Sequence, residues 1–168
     1  MRRPGLISTT AGAVEPMSLR AVLDTNVLVS GLVSDHSPPR QLVDAWLDGQ
    51  YTLVTSLYQV QELSHVLTYP RIASRLGLEE AELEMILAGL LSQAEVVAGE
   101  LQVPEVTRDP EDDAIVACAL AGGADHIVRG DRDLLDLGEY KGTRVVTPRE
   151  FAEMLASEPG QDQEMAGY

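Results

Sequence analysis

The 168-residue chain has few aromatic residues, a single cysteine and few basic side chains. Aromatic residues make up 4% of it, which leaves little of the stacking surface that single-strand binders use. The chain has 12 basic and 27 acidic residues, and its net charge of −15 argues against a protein that coats nucleic acid. A bound metal ion reverses the sign of the local charge at an acidic site, so the net charge of the chain does not exclude a metal-dependent nuclease.

The single cysteine and the lack of long apolar runs limit the possible cellular compartment, and composition limits the number of domains. The lone Cys118 excludes a disulfide within the chain, which is typical of a reducing compartment and predicts a cytoplasmic protein. No apolar run approaches roughly 18 residues, so we expect no membrane partner. Composition and the positions of proline, glycine and polar stretches predict a disordered extension over residues 1–18, one domain over 19–156 and a flexible tail over 157–168.

Short apolar runs alternate with helical patterns along this domain. The runs that are typical of buried parallel strands lie at 20–23, 51–54, 95–97, 125–129 and 144–146. The alternation predicts a three-layer α/β/α sandwich with a central, mostly parallel five-stranded sheet. In such sheets, ligands bind beyond the carboxyl ends of the strands.

Acidic residues occupy several special positions in this pattern. Asp24 directly follows the first predicted strand, and Asp131 and Asp133 follow the fourth. Glu62 and Asp113 lie within predicted helices, next to apolar positions. Carboxylates that a fold brings together repel one another, unless a cation lies between them or some are protonated. Hard cations prefer oxygen ligands, so the layout predicts a site for Mg²⁺ or Mn²⁺.

Each acidic position also has an ordinary structural explanation. Asp24 fits a helix N-cap, a role that aspartate often fills. Glu62 lies too deep for capping, but by base rate a helix-edge glutamate is simply solvated. Asp109 and Asp112 fit the cap and first turn of the helix that Pro110 opens. Asp113 lies one residue too deep for that role and is in line with a small residue four positions on, which favours it as the ligand.

Taken together, these stretches resemble the PIN-domain family, and within it the VapC-like toxins. The likeness covers roughly residues 19–155, in order and with plausible spacing, which is more specific than any one motif. The segments that carry it are residues 22–28, 61–63, 108–117, 123–128 with 130–135, and 145–151.

The resemblance implies metal-dependent cleavage of RNA phosphodiester bonds by the toxin of a toxin–antitoxin pair. The implied cofactor is Mg²⁺ or Mn²⁺, and the implied partners are RNA, an antitoxin protein and a second copy of the chain. The acidic site that the resemblance carries over consists of Asp24, Glu62, Asp113 and Asp131, with Asp133 as a helper and with Thr25 and Asn26 in support.

One position departs from the family pattern. The family usually has Ser or Thr two residues before the Asp131 position, where this chain has Arg129. Arg129 could hold a substrate phosphate together with Arg132 or Arg108, because a guanidinium binds phosphate in a bidentate manner. It could instead pair with a site carboxylate. The second role is favoured, because an arginine beside clustered acids has a partner even without substrate.

Three other classes of protein share parts of the pattern. A phosphohydrolase of the haloacid-dehalogenase type needs a second Asp two residues after the first, and here that position is Asn26. A receiver domain needs a lysine near its last strand, but the only lysine, Lys141, precedes that strand. A non-catalytic PIN-like module that only binds a partner is favoured by Arg129, and a metal-dependent ribonuclease assay separates it from an enzyme.

Overall fold

The computed structural model describes residues 19–98, 109–130 and 136–157. Within these segments the chain forms seven helices around one six-stranded sheet. This confirms the predicted α/β/α architecture, although the sheet has six strands rather than the predicted five. The described segments contain no helix that is both long and apolar enough to cross a membrane.

The sheet is parallel except at one edge. Its strand order is β3-β2-β1-β4-β6-β5, and only the β5–β6 pair is antiparallel. The sequence analysis missed β5 because its two residues do not form an apolar run. A tight turn joins β5 to β6, with positive φ at Lys141 and Gly142. The strands are β1 (Arg20–Leu23), β2 (Thr52–Ser56), β3 (Glu95–Val97), β4 (His126–Val128), β5 (Glu139–Tyr140) and β6 (Thr143–Val146).

The helices begin at proline or at capping residues in most cases. The helix that Ser56 caps ends at Leu67, and Pro70 begins a further helix. The fixed φ of proline suits a first helical position, so Pro70 starts a helix as well as ending one. The helices are α1 (Thr25–Val33), α2 (Pro38–Leu47), α3 (Leu57–Leu67), α4 (Pro70–Leu76), α5 (Glu80–Gln93), α6 (Pro110–Ala121) and α7 (Pro148–Ala156).

Alternation along the strands divides the core into two clusters, one on each face of the sheet. Leu23 and Val128 belong to the cluster that α1, α2, α3 and α7 cover, which includes the fully buried Phe151. Val22 and Ile127 belong to the cluster beneath α6. Helices on both faces explain why the central strands are apolar throughout.

Burial makes His126 sensitive to pH. Its ring lies 5.5 Å from that of Phe151, and its Nδ1 has no hydrogen-bond partner within the described segments. Burial lowers the pKa of His126, Asp125 opposes the shift and Arg144 adds to it. The unfolded chain therefore binds a proton more readily, and folding stability falls as the pH drops below about 6.5.

We expect His126→Leu to reduce this loss of stability, because leucine cannot take up a proton. The contribution of one histidine is limited to about 1.4 kcal/mol per pH unit. Melting temperatures at neutral and mildly acidic pH measure the effect for both proteins. An equal decrease in the two proteins would show that His126 is not the group that titrates.

Candidate functional site

The pairing of β1 with β4 places Asp24 beside Arg129. The strands are parallel, and Leu23 lies opposite Val128. The backbone N–H of Asp24 donates to the carbonyl of Val128 at 3.1 Å, and that of Arg129 donates to the carbonyl of Val146 at 2.9 Å. The first residues after two adjacent strands therefore meet at the carboxyl edge of the sheet, where open α/β sheets bind ligands.

Asp24 occupies the N-cap position of α1 without capping the helix through its side chain. The carboxylate makes no capping hydrogen bond, although the residue is only 8% exposed. Burial raises the pKa of Asp24, whereas the charge of Arg129 and the nearby backbone N–H groups of Thr25 and Asn26 oppose the shift. Glu62 raises the pKa further by repulsion. The helix cap therefore does not account for this carboxylate.

Glu62 is positioned by a buried network around Gln59. The Gln59 amide donates from Nε2 to the carbonyl of Leu23, and its Oε1 accepts a 2.9 Å hydrogen bond from the Thr55 hydroxyl. These contacts fix the start of α3 to the ends of β1 and β2. Glu62 lies one turn later on α3, and its Oε1 accepts a 2.6 Å hydrogen bond from the Thr25 hydroxyl. In the sequence, Ser56 and Gln59 match a helix capping box, but the Gln59 side chain bonds the strand ends instead of the helix start.

Arg129 links Asp24 to a second acid that the sequence analysis assigned to the helix start. Its Nη1 donates to Oδ1 of Asp112, and its Nε lies 3.8 Å from Oδ2 of Asp24. Asp112 is 2% exposed and Arg129 is 9% exposed. The cluster therefore combines one guanidinium with two buried carboxylates. The predicted preference of Arg129 for a site carboxylate agrees with this geometry.

Helical spacing could have indicated either Asp112 or its neighbour. Asp112 is in line with the buried Val116, and Asp113 is in line with the buried Ala117. Because α6 is apolar on most sides, periodicity does not distinguish the two. Asp112 and Asp113 are both buried, and neither lines the cleft beside Asp24. Its role as a ligand stays a prediction.

The other predicted site residues lie outside the described segments. They are the acids Asp131 and Asp133 and the arginines Arg132 and Arg108. Their assignments as metal ligands and phosphate contacts stay predictions. Gly130 follows Arg129 in the chain and directly precedes Asp131.

An open cleft of about 570 Å³ lies beyond the strand ends. Tyr58 lies at this cleft with 52% of its surface exposed, and Ile115 contributes an apolar wall. The polar lining residues include Asp24, Thr25, Asn26, Gln59, Glu62 and Arg129. The cleft therefore joins an acidic floor to a partly aromatic rim.

The donor chemistry of this cleft fits a hard divalent cation, because its acidic groups offer only oxygen atoms. In residues 19–98, 109–130 and 136–157, no three His, Cys, Asp or Glu side chains are arranged to hold a metal ion. Arg129 instead supplies a positive charge beside Asp24 and Asp112. These segments thus provide suitable oxygen donors together with an internal cation.

The fold and cleft define an α/β/α domain with an acidic site beyond the carboxyl ends of its strands. The family model described as PIN domain matches residues 20–133, and the chain belongs to this family. PIN domains are generally nucleases that act on RNA and typically use divalent metal ions.

A curated relative is similar to this chain over most of its length. The chain is 26% identical over 148 residues to the uncharacterized protein MJ1680 of Methanocaldococcus jannaschii. The alignment covers 83% of this chain and 94% of the relative. The similarity therefore extends over nearly the whole archaeal protein.

We expect Gln59→Leu to destabilise the fold by about 1–3 kcal/mol, because the Leu23 carbonyl and the Thr55 hydroxyl lose a buried partner. The matched control is Gln61→Leu, an exposed position on the same helix, which should change stability by less than about 0.5 kcal/mol. Urea unfolding measures both variants. Equal losses would contradict the proposed anchoring role of Gln59.

Proposed function

We propose that this protein is a metal-dependent endoribonuclease that uses Mg²⁺ or Mn²⁺ and acts as the toxin of a toxin–antitoxin pair. The observation that carries the proposal is that Asp24 and Glu62 line one cleft in a PIN domain, with the buried Asp112 linked to Asp24 through Arg129. Acids that are brought together in this way repel one another, which is costly for the fold. Their grouping is explained if they serve a cation.

The chain's residues have distinct roles in this proposal. Asp24 and Asp112 offer oxygen atoms from β1 and α6, and the Thr25 hydroxyl orients Glu62. A divalent ion bound there would neutralise the phosphodiester and lower the pKa of a bound water. The residues that would hold the ion are Asp24, Glu62 and Asp112 from the described segments, with Asp131 and Asp133 as predicted partners.

The charge of the chain and the lining of the cleft support a nucleic-acid substrate that is bound through contacts at the cleft itself. A net charge of −15 repels the phosphate backbone at long range, so binding must depend on contacts at the cleft itself. The exposed ring of Tyr58 offers a face on which an unpaired base can stack. The low aromatic content therefore does not deprive the site of a stacking surface.

The proposal extends to partners and location. We infer a homodimer, an antitoxin protein partner and a cytoplasmic location, in line with the resemblance to VapC-like toxins. Large apolar side chains stand exposed at Leu57 and Met85, with 59% and 74% of their surfaces accessible. Exposed apolar side chains on α3 and α5 are compatible with contacts to such partners.

A second candidate function is a non-catalytic PIN-like module that binds a partner. The observation that favours it is the contact of Arg129 with both Asp24 and Asp112. An internal cation balances the two acids and makes a metal less necessary for folding. The activity measurements below distinguish this module from the enzyme.

We expect the wild-type protein to cut a circular RNA in the presence of Mg²⁺ or Mn²⁺ and to stop when the ion is chelated. A circular substrate has no ends, so only an endonuclease opens it. Asp24→Asn should slow cleavage by about a hundredfold or more, equivalent to about 2.7 kcal/mol, because the cation site loses a charged ligand.

The matched control is Asp44→Asn on α2, which removes an exposed acid away from the cleft. The same variants test the toxin role in growing cells, where Asp24→Asn should relieve a growth defect that Asp44→Asn retains. Absence of metal-dependent cleavage in the wild type would favour the partner-binding module. Cleavage without harm to cells would remove the toxin role alone.

Neighbouring acids provide a sharper test of the ligand set. We expect Asp112→Asn to weaken Mn²⁺ binding by about tenfold or more, and Asp113→Asn to weaken it less, because Asp112 contacts the Arg129 guanidinium that also approaches Asp24. Titration calorimetry measures both affinities. The reverse order would restore Asp113, the residue that the sequence favours, as the ligand.

A further inference from the structure

Arg129 is buried where a metal-dependent site would place its ion. It is 9% exposed and contacts the carboxylates of Asp24 and Asp112. Its backbone N–H donates to the carbonyl of Val146, and the preceding Val128 is paired with both β1 and β6. The guanidinium is therefore directed towards the acids by the sheet rather than by a free surface loop.

The two acids come from different elements, and Arg129 joins them. Asp24 follows β1, whereas Asp112 lies in the first turn of α6 on one face of the sheet. Two buried carboxylates without a cation would repel each other across this junction. A planar guanidinium with several N–H groups can serve both at once, which an ammonium group does less well.

We propose that Arg129 is a positioning residue that holds Asp24 and Asp112 in place and sets the metal affinity of the site by competing with the divalent ion. The inference rests on the cation site of the proposed function. Arg129 and the ion are alternative partners of the same oxygens, since two adjacent buried cations would repel each other. Metal binding therefore requires Arg129 to give up at least one of its two carboxylates.

Competition of this kind has a signature that simple stabilisation lacks. Removal of the guanidinium should lower stability without metal, because two buried acids lose their counter-charge. The same change should tighten metal binding, because the ion no longer displaces an occupant. A purely structural ion pair would show only the first effect, and a contact to substrate phosphate would show neither.

The test measures Mn²⁺ affinity by calorimetry, together with melting temperatures with and without the ion, on the full chain. Arg129→Thr and Arg129→Met should bind Mn²⁺ about tenfold or more tightly than the wild type. Both should melt lower than the wild type without metal and gain more on adding it. Arg129→Lys keeps the positive charge but loses the planar guanidinium. Its Mn²⁺ affinity and its melting temperature should therefore lie between those of the neutral variants and those of the wild type.

Arg20→Met is the matched control for loss of a half-buried ion pair. Arg20 begins β1, at the end of the sheet away from Asp24, and its Nη1 donates to Glu95 at 2.9 Å. We expect this variant to lose stability and to keep the wild-type affinity for Mn²⁺. A change in its affinity as large as that of Arg129→Met would overturn the inference, because the effect would then be general.

A measurement on the wild type tests the inference even if the neutral variants Arg129→Thr and Arg129→Met do not fold. With ¹⁵N-labelled arginine, the Nε resonance that is missing from Arg129→Lys should shift when Mg²⁺ is added. A resonance that does not move at saturating Mg²⁺ would overturn the inference, as would unchanged or weaker Mn²⁺ binding in Arg129→Thr. Failure of all proteins to bind Mn²⁺ would overturn it too.

These outcomes are separable from failure of the proposed function. If no protein cleaves RNA but Arg129→Thr binds Mn²⁺ more tightly, the competition stands and the ribonuclease proposal falls. If the wild type cleaves RNA with Mn²⁺ and Arg129→Thr has unchanged affinity, the ribonuclease proposal stands and the competition falls. Weaker RNA binding at unchanged Mn²⁺ affinity would instead assign Arg129 to the substrate phosphate.

Discussion

The parallel pairing of β1 with β4 determines where the charged groups of this protein meet. Leu23 lies opposite Val128, so the residues that follow them, Asp24 and Arg129, lie side by side at the carboxyl edge of the sheet. A shift of one residue in this register would turn the core side chains to the opposite face, so the apolar core itself holds the register. The position of the candidate site is therefore a consequence of core packing.

Charge balance is the second constraint on the cleft. Asp24 and Asp112 are both buried, and a fold tolerates such a pair only with a cation or a proton between them. PIN-domain nucleases typically use divalent metal ions, and in this chain the Arg129 guanidinium contacts both acids. The same contact supports two interpretations, a metal site whose affinity is tuned or a module that has lost its metal. The difference lies in whether the ion can displace the guanidinium.

A buried amide gives the acidic cleft its geometry. Gln59 connects the start of α3 to the ends of β1 and β2, and this places Glu62 within reach of the Thr25 hydroxyl. Buried polar groups are costly unless they are hydrogen-bonded, so a network of this kind fixes one arrangement of the helix on the sheet. The sequence indicates Gln59 only as the partner of Ser56 in a helix capping box, because its side-chain contacts with Leu23 and Thr55 depend on the packing of α3 against the strand ends.

The sequence by itself determined the α/β/α architecture, most strand positions and the place of Asp24 at the end of the first strand. These follow from apolar periodicity and from residues at strand ends, which are local properties of the chain. The short β5, the helix that begins at Pro70 and the contact of Asp112 with Arg129 were decided only by the tertiary structure. Periodicity cannot separate adjacent acids on a helix that is apolar nearly all round. Only the packing of α6 against the sheet directs Asp112 to Arg129, because that contact joins residues 17 positions apart in the chain.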